Sequence, residues 1–78
     1  MQDLAIKQAA LEMGINEPFW KVLRAELLLE RDAALLSLTT IPPTPDNLGM
    51  IAAAQERIRV LGAVARKPYD LLGILEPR

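Results

Sequence analysis

The stretch from Asn16 to Leu38, NEPFWKVLRAELLLERDAALLSL, constrains the fold more than any other part of the chain. One set of apolar residues recurs there at intervals of three, four, seven and four, which is the period of a helix face: Trp20, Leu23, Leu27, Ala34 and Leu38. A second set makes another stripe: Phe19, Val22, Leu29, Ala33 and Leu36. Two apolar stripes need cover on more than one side, and a single partner helix covers only one of them.

Local signals place three helices at about residues 2–13, 17–38 and 45–67. Gly14 is predicted to end the first helix in a left-handed conformation, and Asn16 is predicted to cap the second. The prolines that follow Ile41 make a stiff break between the second and third helices.

The third helix is predicted to start at Thr44 as the cap with Pro45 in the first turn, and to stop before Pro68. Its apolar residues are spaced 3-4-3-4, as in a coiled-coil seam: Ile51, Ala54, Ile58, Leu61 and Ala65. We therefore predict a single all-α domain over residues 1–78. It has a short N-terminal helix, an antiparallel two-helix hairpin, and a C-terminal helical turn or apolar tail at 69–75.

The composition argues against an enzyme, because the chain contains no His and no Cys. Nucleophile pairs that use a His or Cys are excluded, as is a zinc site. Glu26 and Glu30 share a helix face, but a carboxylate pair also needs a pocket, which hairpins of this size rarely hold. We predict no catalytic residue, no cofactor, no metal and no small-molecule ligand.

The charge and hydropathy patterns limit the partners of the chain. The net charge of −1 creates no basic field, so nucleic acid is not an expected partner. No apolar run reaches the ~18 residues that span a bilayer, and the N-terminus has no signal-peptide core, so we expect no membrane association and a cytoplasmic location. In contrast, 51% of the residues are hydrophobic, more than one hairpin can bury, which favours self-association.

A helix-turn-helix is the alternative that would bind DNA. Residues 9–15 place a small residue four before Gly14, and Trp20 and Leu23 fall where the second helix of such a motif would pack. The would-be recognition helix begins with an acid and a proline and has only Lys21 and Arg24 as cations, which is a poor set for reading bases. A simple corner between two helices explains the same pattern.

The predicted interface combines residues of all three regions, with Trp20 as its anchor because buried aromatic residues carry much of an interface's binding energy. Its members are Phe19, Trp20, Leu27, Leu28, Ile51, Ile58, Tyr69, Leu72 and Leu75. The tail either folds back on its own hairpin or docks on a neighbouring subunit or partner. The cations Arg57, Arg59, Arg66 and Lys67 scatter around the third helix, which is typical of a solvated face, although an anionic partner would also suit them.

Residues 19–72 resemble a family of small helical-hairpin proteins of tailed bacteriophages, which are encoded among virion-assembly genes. The resemblance lies in a Trp-led, Leu-rich helix with Arg31-Asp32, a short Pro/Asp break, and AQERIRVL at 54–61 followed by a proline. Members often have Gly after the Gln, where this chain has Glu56. The resemblance implies a virion-associated or assembly-accessory role in an infected bacterial cell, and it transfers no functional residues.

Together these observations predict a non-enzymatic interaction module that acts through helix packing, as a homo-oligomer or with another virion or host protein. It would be found in the infected cell's cytoplasm, with the virion as the alternative location. A small regulator that binds and inhibits a host protein is the alternative, followed by the DNA-binding module.

Overall fold

The computed structural model describes residues 2–77 and confirms the all-α hairpin, with no strand in that range. Helix α1 spans Gln2–Gly14 and α2 spans Pro18–Thr40. A short 3₁₀ turn, Pro45–Asn47, leads into α3, Leu48–Leu72. The predicted domain of 1–78 also includes Met1 and Arg78, which lie outside the described residues.

The pairing of α2 with α3 is antiparallel. Trp20, at the start of α2, bonds to Tyr69 near the end of α3. Further along, Arg57 of α3 lies 3.5 Å from Glu30 of α2. The sequence numbers of paired residues therefore converge toward the connection at 41–47, as they do in a hairpin. The next residue of α2, Arg31, reaches α3 as well, and its Cδ lies 3.8 Å from where a Cβ would stand on Gly62.

The core of the hairpin is thin. Only Ala34, Ala65 and Tyr69 are buried among the described residues. The alanines let the two helices approach closely, but they remove little apolar area from water. As a result, the hairpin has an elongated form of 53 × 25 × 17 Å and a radius of gyration of 16.3 Å, against about 11.5 Å for a compact domain of this length.

The corner between α1 and α2 differs from the prediction at two residues. Gly14 is the last helical residue of α1 and is not left-handed. Among the glycines of residues 2–77, only Gly73 has a positive φ. Asn16 does not cap α2. Its side chain donates a hydrogen bond of 2.9 Å to the carbonyl of Glu12, and its backbone N–H donates to the carbonyl of Met13, so it closes the turn that follows α1. Glu17 takes the cap position, without a side-chain hydrogen bond.

Helix α2 ends two residues later than predicted. The hydroxyls of Thr39 and Thr40 donate hydrogen bonds to the carbonyls of Leu36 and Ser37, 2.6 and 2.8 Å long. These bonds satisfy the side chains within the last turn, so the threonines extend the helix. In the connection, the side-chain amide of Asn47 donates a hydrogen bond of 3.0 Å to Pro42 and holds the loop closed.

The prediction that the third helix stops before Pro68 is wrong, because α3 continues through that residue to Leu72. Proline within a helix loses one backbone hydrogen bond and crowds the carbonyl four residues before it. The burial of Tyr69 and its bond with Trp20 favour continuation despite this cost. Much of the predicted tail at 69–75 is therefore helix.

Gly73 ends α3 with a φ of 68°. Its N–H bonds to Asp70 at 3.1 Å, and the N–H of Ile74 bonds to Tyr69 at 3.0 Å. This pair of bonds is the Schellman motif, which satisfies carbonyls at a helix end and needs a left-handed residue. The turn reverses the chain, so the last residues run back toward α2.

Candidate protein-interaction surfaces

The end of the hairpin away from the loop is closed by a group that we call the clasp, made of Trp20, Arg24, Tyr69 and Glu76. The indole Nε1 of Trp20 donates a hydrogen bond of 2.9 Å to the hydroxyl of Tyr69. Their ring centroids are 6.4 Å apart and the rings are tilted by 48°, a favourable geometry for aromatic pairs. The predicted anchor Trp20 thus contacts its own chain.

Arg24 joins the tail to the clasp. Its guanidinium lies 5.4 Å from the centroid of the Tyr69 ring, within cation–π range. One Nη forms an ion pair of 2.8 Å with Glu76 and also donates to the carbonyl of Pro77 at 3.2 Å. Of the two arrangements considered for the tail, the described structure has the one in which it folds back on its own chain. Leu75 nevertheless remains 93% exposed.

The second apolar stripe of α2 is left without cover in the single chain. Phe19, Val22, Leu29 and Leu36 are 77%, 64%, 61% and 69% exposed, and Ala33 is exposed as well. At about 100° per residue, Val22, Leu29 and Leu36 lie on the far side of α2 from Ala34 and Trp20, which face α3. Phe19 and Ala33 lie at the flanks of this surface. We call the five residues the outer stripe of α2. The sequence predicted the stripe, and the structure places it opposite the hairpin core.

A second seam also runs along α3. It follows a 3-4-3-4-3-4 spacing over 22 residues, the spacing of a coiled-coil seam: Met50, Ala53, Arg57, Val60, Val64, Lys67 and Leu71. All seven side chains are exposed, and its large apolar members range from 41% for Val60 to 59% for Met50. We call it the outer seam of α3.

Sequence reasoning missed the outer seam because the inner seam of Ile51, Ile58 and Leu61 has the same spacing, and because Arg57 and Lys67 were read as scattered cations. The 3-4 spacing of the outer seam is visible in the sequence. Reading every 3-4 register of α3, including registers with two cations, would have found it.

A groove of about 410 Å³ lies where α1 meets the hairpin. Its walls include Leu11 of α1, Phe19 and Trp20 of α2, and Pro68 of α3. The rest of α1 is mostly exposed, with Leu4 at 70% and Ile6 at 67%. Helix α1 therefore meets the hairpin mainly near its own C-terminal end.

The nine predicted interface residues fall into three environments. Phe19 and Leu75 are highly exposed, and Tyr69 is buried at 4%. The others are half-buried in the single chain: Trp20, Leu27, Leu28, Ile51, Ile58 and Leu72. The structure brings Trp20 and Tyr69 together in the clasp. Of the nine, only Phe19 belongs to an uncovered surface defined above.

Three of the four cations of α3 are paired within the described chain. Arg57 pairs with Glu30, Arg59 with Glu56, and Arg66 with Asp70. The hydrogen bond from Arg59, together with its charge, lowers the pKa of the Glu56 carboxyl. Within residues 2–77, Lys67 has no acidic partner. These pairs are largely exposed, so each one contributes little to stability.

The geometry of the described residues does not support a DNA-binding site or a metal site. Arg24, one of the two cations that the helix-turn-helix alternative needs, is held by Glu76 and Tyr69. Over the described range, His, Cys, Asp and Glu side chains form no group of three that could hold a metal ion. None of the helices in residues 2–77 is both long and apolar enough to cross a membrane.

Comparison with protein-family models, with curated proteins and with solved structures finds no match to this chain.

Proposed function

We propose that the protein is a non-enzymatic interaction module that assembles with itself through helix packing. The observation that carries this proposal is the apolar surface of the single chain. Sixteen large apolar side chains are exposed in the described structure, against three buried residues. Four of them, Phe19, Val22, Leu29 and Leu36, follow one another along a face of α2 and form an apolar patch of the kind that marks an interaction site.

The total accessible area supports the same proposal. The chain exposes 6110 Å², whereas a compact monomer of 8.6 kDa exposes about 4,700 Å². The excess of about 1,400 Å² is larger than the ~800 Å² that each partner buries in a standard protein–protein interface. Self-association would remove from water the surface that the thin core leaves exposed.

We assign this module an assembly-accessory or virion-associated role in a phage-infected bacterium. The support is the resemblance of residues 19–72 to small phage hairpin proteins, with Trp20 leading the second helix and AQERIRVL in the third. Mass spectrometry of purified particles of the phage that carries the gene tests the virion assignment. Absence of the chain from those particles would restrict the proposal to assembly in the cell.

The test of self-assembly is the solution mass at physiological salt, measured by light scattering after size-exclusion chromatography over a range of protein concentrations. We expect a mass well above the 8.6 kDa of one chain. A monomer at every concentration would contradict self-assembly. The exposed apolar surfaces would then bind another protein, as the host-regulator alternative requires. A pull-down with the purified protein would be the next experiment.

A further inference from the structure

One face of the hairpin is formed jointly by α2 and α3. Two adjoining depressions of about 300 and 510 Å³ lie on it, and Glu30 and Arg57 line both. We call this surface the groove face and define it by three residues of each helix, all exposed in the single chain: Glu30, Ala33 and Ser37 of α2, and Ala53, Arg57 and Val60 of α3.

Building on the proposed self-assembly, we infer that the groove faces of two copies pack together with two-fold symmetry and form a four-helix bundle. The two-fold axis runs parallel to the helices, so α2 of each copy lies on α3 of the second copy and is antiparallel to it. Rotation about such an axis does not shift a residue along the axis. Each residue therefore keeps its height along the hairpin in both copies.

Two charged residues at opposite edges of the groove face favour this orientation. Glu26 lies one turn from Glu30 at the α2 edge, and Lys67 lies at the α3 edge, on the outer seam. Both are exposed, and neither has an ion-pair partner within residues 2–77. In the dimer, the α2 edge of one copy meets the α3 edge of the other. Glu26 then approaches the second copy's Lys67, and symmetry repeats this contact.

The heights of the two charges allow this contact. Along α2, Glu26 lies six residues from Trp20, and along α3, Lys67 lies two residues from Tyr69, the partner of Trp20. At 1.5 Å per residue the heights differ by about 6 Å, or one helical turn. The long side chain of Lys67 can bridge this difference.

The other two-fold arrangement, with the axis perpendicular to the helices, stacks α2 on α2 and α3 on α3. It would place Glu26 of both copies along one edge and Lys67 of both copies along the other. Like charges that share an edge disfavour that dimer. Lys21 also lacks an ion-pair partner in the described range, but it lines a separate depression beside the tail, with Ile74.

The ion pair in the middle of the groove face is compatible with its burial. Arg57 lies 3.5 Å from Glu30 of the same chain, so packing carries no unpaired charge into the interface. Because the two residues lie at similar heights, each Glu30 also faces the second copy's Arg57. Four charges of alternating sign would meet there, which offsets part of the cost of removing them from water.

The groove face is accessible and large enough for a dimer. Helix α1 contacts the hairpin at Phe19 and Pro68, about 10 Å along α2 from Glu26, and leaves the face open. A standard interface takes about 800 Å² from each partner. This is less than the excess of about 1,400 Å² that the single chain exposes. Leu29 and Leu36 of the outer stripe point away from α3 and stay exposed in this dimer.

Charge reversal tests the orientation. Glu26→Lys and Lys67→Glu, each alone, put two like-charge contacts into the dimer and should raise its Kd at least about tenfold. Mixed in equal amounts, the two variants should form a 1:1 dimer with both opposite-charge contacts restored. A double variant that carries both changes in one chain should regain the wild-type Kd. This regain also verifies that the substitutions leave the fold intact.

Analytical ultracentrifugation measures the Kd, and native mass spectrometry identifies the mixed dimer when one variant is isotope-labelled. Lys7→Glu is the matched control for Lys67→Glu, because Lys7 is exposed on α1 and has no ion-pair partner within residues 2–77. It makes the same change in net charge and should keep the wild-type Kd.

A pair of neighbouring substitutions tests which surface is buried. Ser37 lines the groove face, whereas Leu36, at nearly the same height, is 69% exposed on the outer stripe. Ser37→Arg should give a monomer, because it places a long cation in the groove beside Arg57. Leu36→Arg should remain a dimer, with about twice the 8.6 kDa mass of one chain. Circular dichroism verifies the helical content of both variants.

Three results would overturn the groove-face dimer while leaving self-assembly intact. The first is a mixture of Glu26→Lys and Lys67→Glu that dimerises no better than either variant alone. The second is loss of the dimer in Leu36→Arg with its retention in Ser37→Arg. The third is an equal rise of the Kd in Lys7→Glu and Lys67→Glu. A wild-type protein that stays monomeric at every concentration would instead contradict the proposed function itself.

Discussion

The indole of Trp20 and the hydroxyl of Tyr69 are joined by a hydrogen bond of 2.9 Å across 49 positions of sequence. This bond ties the start of α2 to the end of α3. Because Tyr69 is one of only three buried residues in the described chain, the clasp is a main point of tertiary structure in an otherwise thin hairpin.

Tyr69→Phe should lower the free energy of unfolding by about 1 kcal/mol, because it leaves the half-buried indole N–H without its acceptor. Urea denaturation measures this change. Phe19→Ala is the control, since Phe19 is 77% exposed and truncating it in the monomer should change stability by less than about 0.5 kcal/mol. To isolate folding from assembly, both variants are measured at a protein concentration at which light scattering shows a monomer. Equal effects at the two positions would show that the clasp is not a stabilising contact.

Gly73→Ala and Gly14→Ala should have opposite effects. At Gly73 the φ of 68° strains any residue with a Cβ, and alanine should cost about 1 kcal/mol. At Gly14, which is helical with open space around the Cβ position, alanine should stabilise by about 0.5–1 kcal/mol. The midpoints of thermal unfolding give the comparison. Destabilisation by Gly14→Ala would support the left-handed conformation predicted from the sequence.

Pro68→Ala should raise the free energy of unfolding by about 1–3 kcal/mol, since it restores a backbone N–H inside α3 and removes the crowding at the Val64 carbonyl. Thermal unfolding followed by circular dichroism measures the effect. Pro77→Ala is the control, because Pro77 follows the end of α3. If Pro68→Ala is instead destabilising, packing of the proline ring in the groove beside α1 outweighs its cost to the helix.

The Glu56 carboxyl should titrate below its ordinary pKa of 4.5, because Arg59 donates hydrogen bonds to it and carries the opposite charge. Carboxyl chemical shifts measured by NMR report the midpoint, and Arg59→Gln should raise it. The small contribution of this pair to stability is present above pH 4.5 and is lost as the pH falls through the lowered pKa. A midpoint that does not change in Arg59→Gln would rule out this origin of the shift.

The helix period in the sequence was sufficient to predict α2 and its two apolar stripes, because the residues facing α3 repeat at helical intervals. The end of α3 could not be predicted in the same way. A proline is a local stop signal, while the contact that overrides it, Trp20 with Tyr69, joins residues far apart in sequence. Local signals also misassigned Asn16, whose side-chain amide bonds backward to Glu12.

The interaction surfaces were predictable in part. The sequence shows that α2 has more apolar surface than one helix can cover, but only the antiparallel pairing shows which stripe remains exposed. On α3, two seams of equal spacing compete for the core. The structure places Ala65 and Tyr69 inside, and thereby leaves Val60 and Val64 on the outer seam.

The arrangement of contacts along the hairpin also sets an order of events in folding. Near the loop, Asn47 and Pro42 are joined across five positions, so this end closes at little entropic cost. The clasp joins positions 20 and 69 and can form readily only after the helices have paired. We therefore expect the hairpin to close like a zipper from the loop, and to fray first at the clasp. Amide exchange should then be slowest in the turns of α2 and α3 nearest the connection and faster toward the clasp.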